Sequence, residues 1–201
     1  SILETGLGVK SHRLKMSDGS LIGFYASLLT GELRTKSRSP FGIIAEDASD
    51  AAIQFGKGQF TVEEGAVTPR VGAVLYVKSY ATSTWPGMLD ALGASRDTII
   101  THSYTPIERG SITERVKRRV AQMRASEDIA ATIEAQLFEA ADKSESGELG
   151  FGIHQFTITV FAGDQAALDT EVARIRGIAH QNGMRLVREV TALEAAFFAM
   201  H

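Results

Sequence analysis

The chain has no cysteine. No disulfide can hold it, and no thiolate is available for metal binding or nucleophilic chemistry, which fits a reducing compartment. It has no run of 18 or more apolar residues, so no apolar spanning helix is predicted. A surplus of positive charge is also missing. The 21 basic and 24 acidic residues leave a net charge of −3, which gives no global field for nucleic acid. Only four prolines, one tryptophan and 7% aromatic residues are present. The remaining 44% hydrophobic and 22% charged content is that of an ordinary globular protein of one or two domains with material for a core.

Motifs of catalysis are missing as well. A phosphate-binding loop needs G-x-x-x-x-G-K-[ST], with glycine directly before lysine so that backbone amides wrap the phosphates. Residues 6–11 read GLGVKS. Val9 stands where glycine is needed, so the stretch reads as a turn. Gly56, Lys57 and Gly58 read as a hairpin turn, and Gly147, Gly150 and Gly152 precede a strand rather than a helix, the wrong order for a phosphate site. The histidines are His12, His102, His154, His180 and His201, none in H-E-x-x-H spacing. His102 and His154 fall inside expected strands and read as core or surface residues rather than catalysts. No G-x-S-x-G elbow occurs. The residues therefore give no catalytic, cofactor-binding or metal-binding position.

What is present is a clear order of elements. Residues 21–29 place Leu21, Phe24, Tyr25, Leu28 and Leu29 at helical spacing between Asp18, Gly19 and Thr30, Gly31. Two readings stand for this helix: packed on the core, or docked on a membrane surface or partner, the absence of Lys and Arg within it counting against a membrane. Residues 31–42 form a basic linker with Arg34, Lys36, Arg38 and Pro40. A hairpin is expected over 52–56 and 59–64. A strand at 71–80, apolar enough to be buried on both faces, follows. Trp85, Pro86 and Gly87 open a short helix over Met88, Leu89, Ala91 and Leu92, and another strand covers 98–104.

Ser111 and Glu114 have the spacing of a capping box. From there Ile112, Val116, Val120, Met123, Ala130, Ile133, Leu137 and Ala141 keep one face to about residue 142. This predicts a helix roughly 45 Å long, with Ser126 and Glu127 as the place for a bend. Such a helix would project or brace a partner. Arg115, Lys117, Arg118, Arg119 and Arg124 spread over its exposed faces. They read either as a solvated surface with pairs such as Glu114–Arg118, or as a contact for acidic headgroups, DNA or an acidic protein surface. No aromatic residue interleaves with them, which counts against single-stranded nucleic acid, and with no net basic field nucleic acid is not the expected partner of this piece.

The last quarter is the most legible. Residues 151–161 read as a strand and Asp164 as an N-cap. Ala167, Leu168, Val172, Ile175 and Ala179 follow at helical spacing, Asn182 and Gly183 close the helix, and 184–190 return as a strand. Thr191 and Glu194 read as a capping box for a final helix. That helix is still apolar at Phe197 and Phe198, which gives the expectation of an excised piece whose last helix contacts a further domain.

The expected fold class is α+β. Two strand–helix–strand units (71–104 and 151–190), each with a parallel strand pair, form a ferredoxin-like sheet with helices on one face. The long helix joins them, and an N-terminal hairpin is appended. In domain terms this is an appendage over 1–68, the sheet domain over 69–190, and the start of a connecting helix over 191–201.

Gly152, Ile153 and His154 entering a strand, then a helix, then Arg188 and Glu189, then Glu194, Ala195, Ala196, Phe197 and Phe198, resemble the CagE/TrbE/VirB family, the large ATPases of type IV secretion and conjugal transfer. The likeness extends from Leu3, Glu4, Thr5 and Gly6 through Tyr80 to His201. It implies a non-catalytic N-terminal domain placed before a P-loop ATPase domain. It implies ATP and Mg²⁺ as cofactors of the full-length protein, with none in this piece. The implied partners are other type IV secretion channel proteins, the protein's own C-terminal ATPase domain, and further copies in a hexamer. The implied location is cytoplasmic, peripheral at the bacterial inner membrane, with Arg115, Lys117, Arg118, Arg119 and Arg124 as contact candidates and Phe197 and Phe198 as interdomain candidates. The other reading is a stand-alone ferredoxin-like module binding nucleic acid or a small ligand.

Overall fold

Strand β3, Arg70–Ser79, is the trunk of a six-stranded sheet. Its sequence is apolar at successive rather than alternate positions, and Gly72, Ala73, Val74 and Leu75 are buried on both faces. In this computed structural model, residues 13–35, 42–48, 51–64, 69–95, 97–125 and 131–199 are described. The chain divides into two compact units, one of Ser1–Thr101 with Thr157–His201, the other His102–Phe156.

In the first unit, β1 (Ala52–Phe55) and β2 (Phe60–Glu63) form an antiparallel hairpin, and β2 pairs antiparallel with β3. β5 (Gly152–Ala162) lies on the other edge of β3, also antiparallel, with Val71 opposite Ala162 and Tyr76 opposite Thr157. β6 (Arg185–Arg188) pairs antiparallel with β3 further along, Val77 facing Leu186. β4 (Thr98–Pro106) is the neighbour of β5. The Phe161 N–H donates to Asp97 O and, in the second unit, the Ile107 N–H donates to Phe151 O. Residue numbers therefore fall along one strand as they rise along the other, so β4 and β5 are antiparallel too.

The class is α+β, as expected. The spatial order β6-β3-β5-β4 follows from these pairings and is that of a split βαβ sheet. Strands 71–104 and 151–190 do run parallel in pairs, but they are not neighbours. β5 lies between β3 and β4, and β3 lies between β5 and β6. The hairpin is part of this sheet rather than appended to it. Phe60 is fully buried, and its ring fills the place where a Cβ at Gly72 would sit, 2.2 Å from the nearest ring carbon.

Helices cover both faces, not one. The face of Phe60, Val62, Val74 and Phe161 packs with Leu193 and Phe197 of α6 (Leu193–Phe198) and with Leu29 of α1 (Ser20–Thr30). The opposite face, with Ala73, Leu75, Ile158 and Val160 all at 0% exposure, is left to α5 (Gln165–Gln181), which packs on β3 and β6. α5 begins where the sequence places it. The Asp164 carboxylate accepts from the Ala167 N–H at 2.8 Å, Leu168, Val172, Ile175 and Ala179 are its buried stripe, and Gly183 follows at φ 74°. Ala167 itself is exposed.

α1 is present, but its buried stripe is Ile22, Gly23, Ala26 and Thr30, while Phe24 is exposed. The small residues permit close approach, and the large ones flank the contact. Gly31 ends the helix at φ 69° with the Phe161 ring beneath it, where only glycine combines the left-handed backbone with the missing Cβ. Arg70 ties this end down, donating to Gly31 O and pairing with Asp97 while its guanidinium lies 5.5 Å from the Phe161 ring centre. A four-residue helix, α2 (Ile44–Asp47), lies between α1 and β1. Asp90–Ala94 form a 3-10 turn where a short helix was expected.

The second unit corrects the single long helix. α3 (Ile112–Ala125) and α4 (Ala131–Glu145) double back on each other. Thr113 hydrogen-bonds Glu145 at one end, Arg124 pairs with Glu134 at the other, and Ile112, Val116, Val120 and Ala141 are buried between them with Leu137. Each helix is about 22 Å long. Ile112, Val116, Val120, Leu137 and Ala141 of the expected stripe are used within the hairpin, whereas Ile133 is exposed, and the reversal removes length as a reason for projection. The bend expected at Ser126 and Glu127, the stripe position Ala130, the turn at 6–11 and the linker residues Lys36, Arg38 and Pro40 lie outside the described residues.

Candidate functional site

The basic residues of α3 follow from its register. Ile112, Val116 and Val120 occupy the buried side, so Arg115, Lys117, Arg118, Arg119 and Arg124 are all exposed. Arg124 is engaged through Nε and Nη2 by the Glu134 carboxylate. Lys117 reaches Glu114 at 3.4 Å, so the acid at 114 takes Lys117 and not Arg118. Arg115, Arg118 and Arg119 have no ion pair among the described residues. Arg115 and Arg119 rim an apolar recess of about 140 Å³ lined by Ile107, Ile112, Val116, Leu137 and Phe151. An exposed guanidinium row beside an apolar recess can hold acidic groups next to a hydrophobic anchor.

Phe197 and Phe198 separate. Phe197 is fully buried, with its ring 4.7 Å from that of Phe60 and 5.6 Å from that of Phe55. It has no surface to give to another domain. Phe198 is 46% exposed and rests against Phe55 and Phe197.

The expected capping box of α6 does not form. The N-cap is Ala192, without a side-chain bond, because the helix begins two residues after Thr191. Glu189 does the work instead. Its Oε1 accepts from the backbone N–H groups of Val190, Thr191 and Ala192 at 3.0, 2.9 and 2.8 Å. These bonds, that from Ala192 first, hold its pKa below the ordinary 4.5 against the opposing effect of burial. Arg188 beside it donates to Gly58 O at 2.5 Å and pairs with Asp169 at 2.9 Å, locking β6 to the hairpin turn and to α5.

Two groupings were not legible in the sequence. His102 and His154 meet across β4 and β5 with Nδ1 and Nε2 3.1 Å apart, and burial, then the His154 charge, lowers the His102 pKa. Arg176, His180 and Arg185 line an open recess between α5 and β6. The first depends on the register of β4 and β5 and the second on the packing of α5 beside β6, so no local pattern reveals either. Gly56 and Gly58 are the hairpin turn, as read, and Gly147 follows α4 at φ 86°. Among the described residues no group of three or more His, Asp or Glu could hold a metal, and no helix is long and apolar enough to cross a membrane.

The model of the CagE, TrbE, VirB family, component of type IV transporter system, matches residues 9–201. The type IV secretion system protein virB4 of Bartonella henselae is 29% identical over 172 residues, 85% of this chain and 22% of that protein. Protein virB4 of Rhizobium radiobacter is 31% identical over 130 residues, 64% of this chain and 16% of that protein. The Brucella melitensis protein virB4 is 27% identical over 177 residues, 88% and 21% of the two. The chain thus spans about a fifth of the length of these relatives.

Proposed function

Since the chain belongs to the CagE, TrbE, VirB family, component of type IV transporter system, we propose that it is the non-catalytic N-terminal domain of a type IV secretion ATPase. Its task is to dock the motor on the inner-membrane channel and on other secretion proteins. The full-length protein binds ATP and Mg²⁺ in a separate domain, works as a hexamer on the cytoplasmic side of the membrane, and drives pilus assembly and the transfer of DNA or protein. Phe198, not Phe197, is the residue of the last helix assigned to contact with that domain.

The observation that carries the docking role is the row Arg115, Arg118 and Arg119, exposed and without ion pairs among the described residues. A basic side chain near an anionic bilayer is worth about 1 kcal/mol, reduced where salt screens it. Reversing Arg115, Lys117, Arg118 and Arg119 to glutamate in the full-length protein is expected to lower the membrane-bound fraction about tenfold and to impair secretion. Unchanged fractionation and secretion would leave the row as a solvated surface.

The same assignment predicts that the 201 residues alone do not bind ATP. Phosphoryl transfer needs an amide cradle, a lysine on the phosphates and a Mg²⁺ ligand set, and the sequence offers only the 6–11 stretch with Val9 in place of glycine. Titration calorimetry with ATP and Mg²⁺ is expected to show no specific heat. A micromolar, stoichiometric site would overturn the domain assignment.

A further inference from the structure

We propose that His102 and His154 form a two-imidazole site for a divalent transition-metal ion, held on neighbouring strands of the second unit. The nitrogens that face each other, His102 Nδ1 and His154 Nε2, are 3.1 Å apart. Metal–imidazole bonds are 2.0–2.1 Å long, so two such ligands on one ion stand about 2.9 Å apart at a right angle and about 3.4 Å apart at a tetrahedral angle. The observed separation lies between these, so both nitrogens can bond one ion once each ring turns about its Cβ–Cγ bond to bring its lone pair off the line between them.

The scaffold holds the pair in place. The two rings are nearly parallel, at 22°, with centres 5.4 Å apart, and the Phe156 ring lies 4.5 Å from that of His102. On the other side of His154, Gly152 has no side chain, and Tyr104 takes up the space. A Cβ there would come within 2.2 Å of its ring. Both imidazoles remain exposed, so an ion can reach them. Ligands on paired strands stay closer to binding geometry than ligands on loops.

The donor set decides the class of ion. Imidazole nitrogen suits Zn²⁺, Ni²⁺ and Cu²⁺, whereas Mg²⁺ and Ca²⁺ require oxygen ligands. Among the described residues no third His, Asp or Glu joins the pair. The ion therefore keeps positions for water or for a ligand from a second molecule, unlike a closed structural zinc site. Without metal, one facing nitrogen carries the shared proton and the other accepts it. On binding, both facing nitrogens offer lone pairs, and the protons reside on His102 Nε2 and His154 Nδ1. One imidazole changes tautomer, no electron is transferred, and no co-reactant is needed.

The test uses the untagged 201-residue chain titrated with Zn²⁺ alone and with Mg²⁺ alone. One Zn²⁺ per chain and no Mg²⁺ binding are expected. His102→Gln and His154→Gln are each expected to weaken Zn²⁺ binding by about tenfold or more, while His180→Gln leaves it unchanged. Ring ¹⁵N resonances of the unmutated protein provide a readout that needs no variant, with those of His102 and His154 expected to shift first. Equal Zn²⁺ affinity in the double variant, or earlier shifts at His12, His180 or His201, would overturn the site.

Discussion

Phe197→Ala is expected to destabilise the fold by about 3–5 kcal/mol, the cost of emptying a buried aromatic site in a core that relaxes only in part. The ring is fully buried and meets Phe60, Phe55 and Phe198 edge-on. Phe60 in turn covers Gly72 of β3 and lies 5.4 Å from Phe161. Loss of Phe197 therefore loosens the packing that joins hairpin, trunk strand and last helix. A domain of this size has about 5–15 kcal/mol of stability in all, so the variant should be largely unfolded under mild denaturant. Urea unfolding followed by circular dichroism measures this. Phe198→Ala, at a half-exposed ring, is expected to cost less than about 1.5 kcal/mol. Equal losses for the two would contradict the separation of a core role from a surface role.

Glu189→Gln is expected to cost about 2 kcal/mol at pH 7, since hydrogen bonds to an ionised acceptor contribute about 1.5–3 kcal/mol. Three backbone donors converge on one carboxylate oxygen at the entry to α6. The folded-state pKa is depressed below 4.5. The charge-dependent stabilisation is therefore complete above the unfolded value and disappears as pH falls through the folded one. The difference between parent and variant should be largest near neutrality and should shrink below about pH 4.5. Chemical denaturation at a series of pH values tests this. A pH-independent difference would mean that side-chain shape, not charge, holds the helix entry.

The features that could be read from sequence are those written locally. Asp164 ahead of Leu168 and Val172, and Asn182 with Gly183 behind Ala179, mark α5 with side chains whose conformational needs are met within one turn. The continuous apolar run of β3 announces burial on both faces without saying what covers them. The sequence predicts one long helix where there are two because Val120 and Leu137 serve the same interface from two antiparallel helices. A helical period persists through a reversal when both arms face each other. In α1 the spacing of large residues predicts Phe24 on the buried side, but Gly23 and Ala26 allow the close contact and Phe24 is exposed. The cap at α6 is displaced because Thr191 stands outside the helix and Glu189, the residue after β6, reaches forward to its entry. The His102–His154 pair required the β4–β5 register, which no local pattern in either strand encodes.

The pairing of β3 also sets an order in time. Its hairpin neighbour β2 precedes it in the chain, so one end of one edge can close at once, with Phe60 opposite Gly72. The other edge waits for Thr157 to Ala162, and the far end of the first edge waits for Arg185 to Arg188. At a synthesis rate of about 5–20 residues per second, the roughly 80 residues between β3 and β5 take on the order of 4–16 s to appear. For that interval Val74 and Leu75 sit on a strand with an open edge, the kind of template that recruits foreign strands. The α3–α4 hairpin, built from near contacts, forms within the same interval and shortens the path that β5 must search. A nascent chain halted between α4 and β5 would therefore be the form most in need of a chaperone.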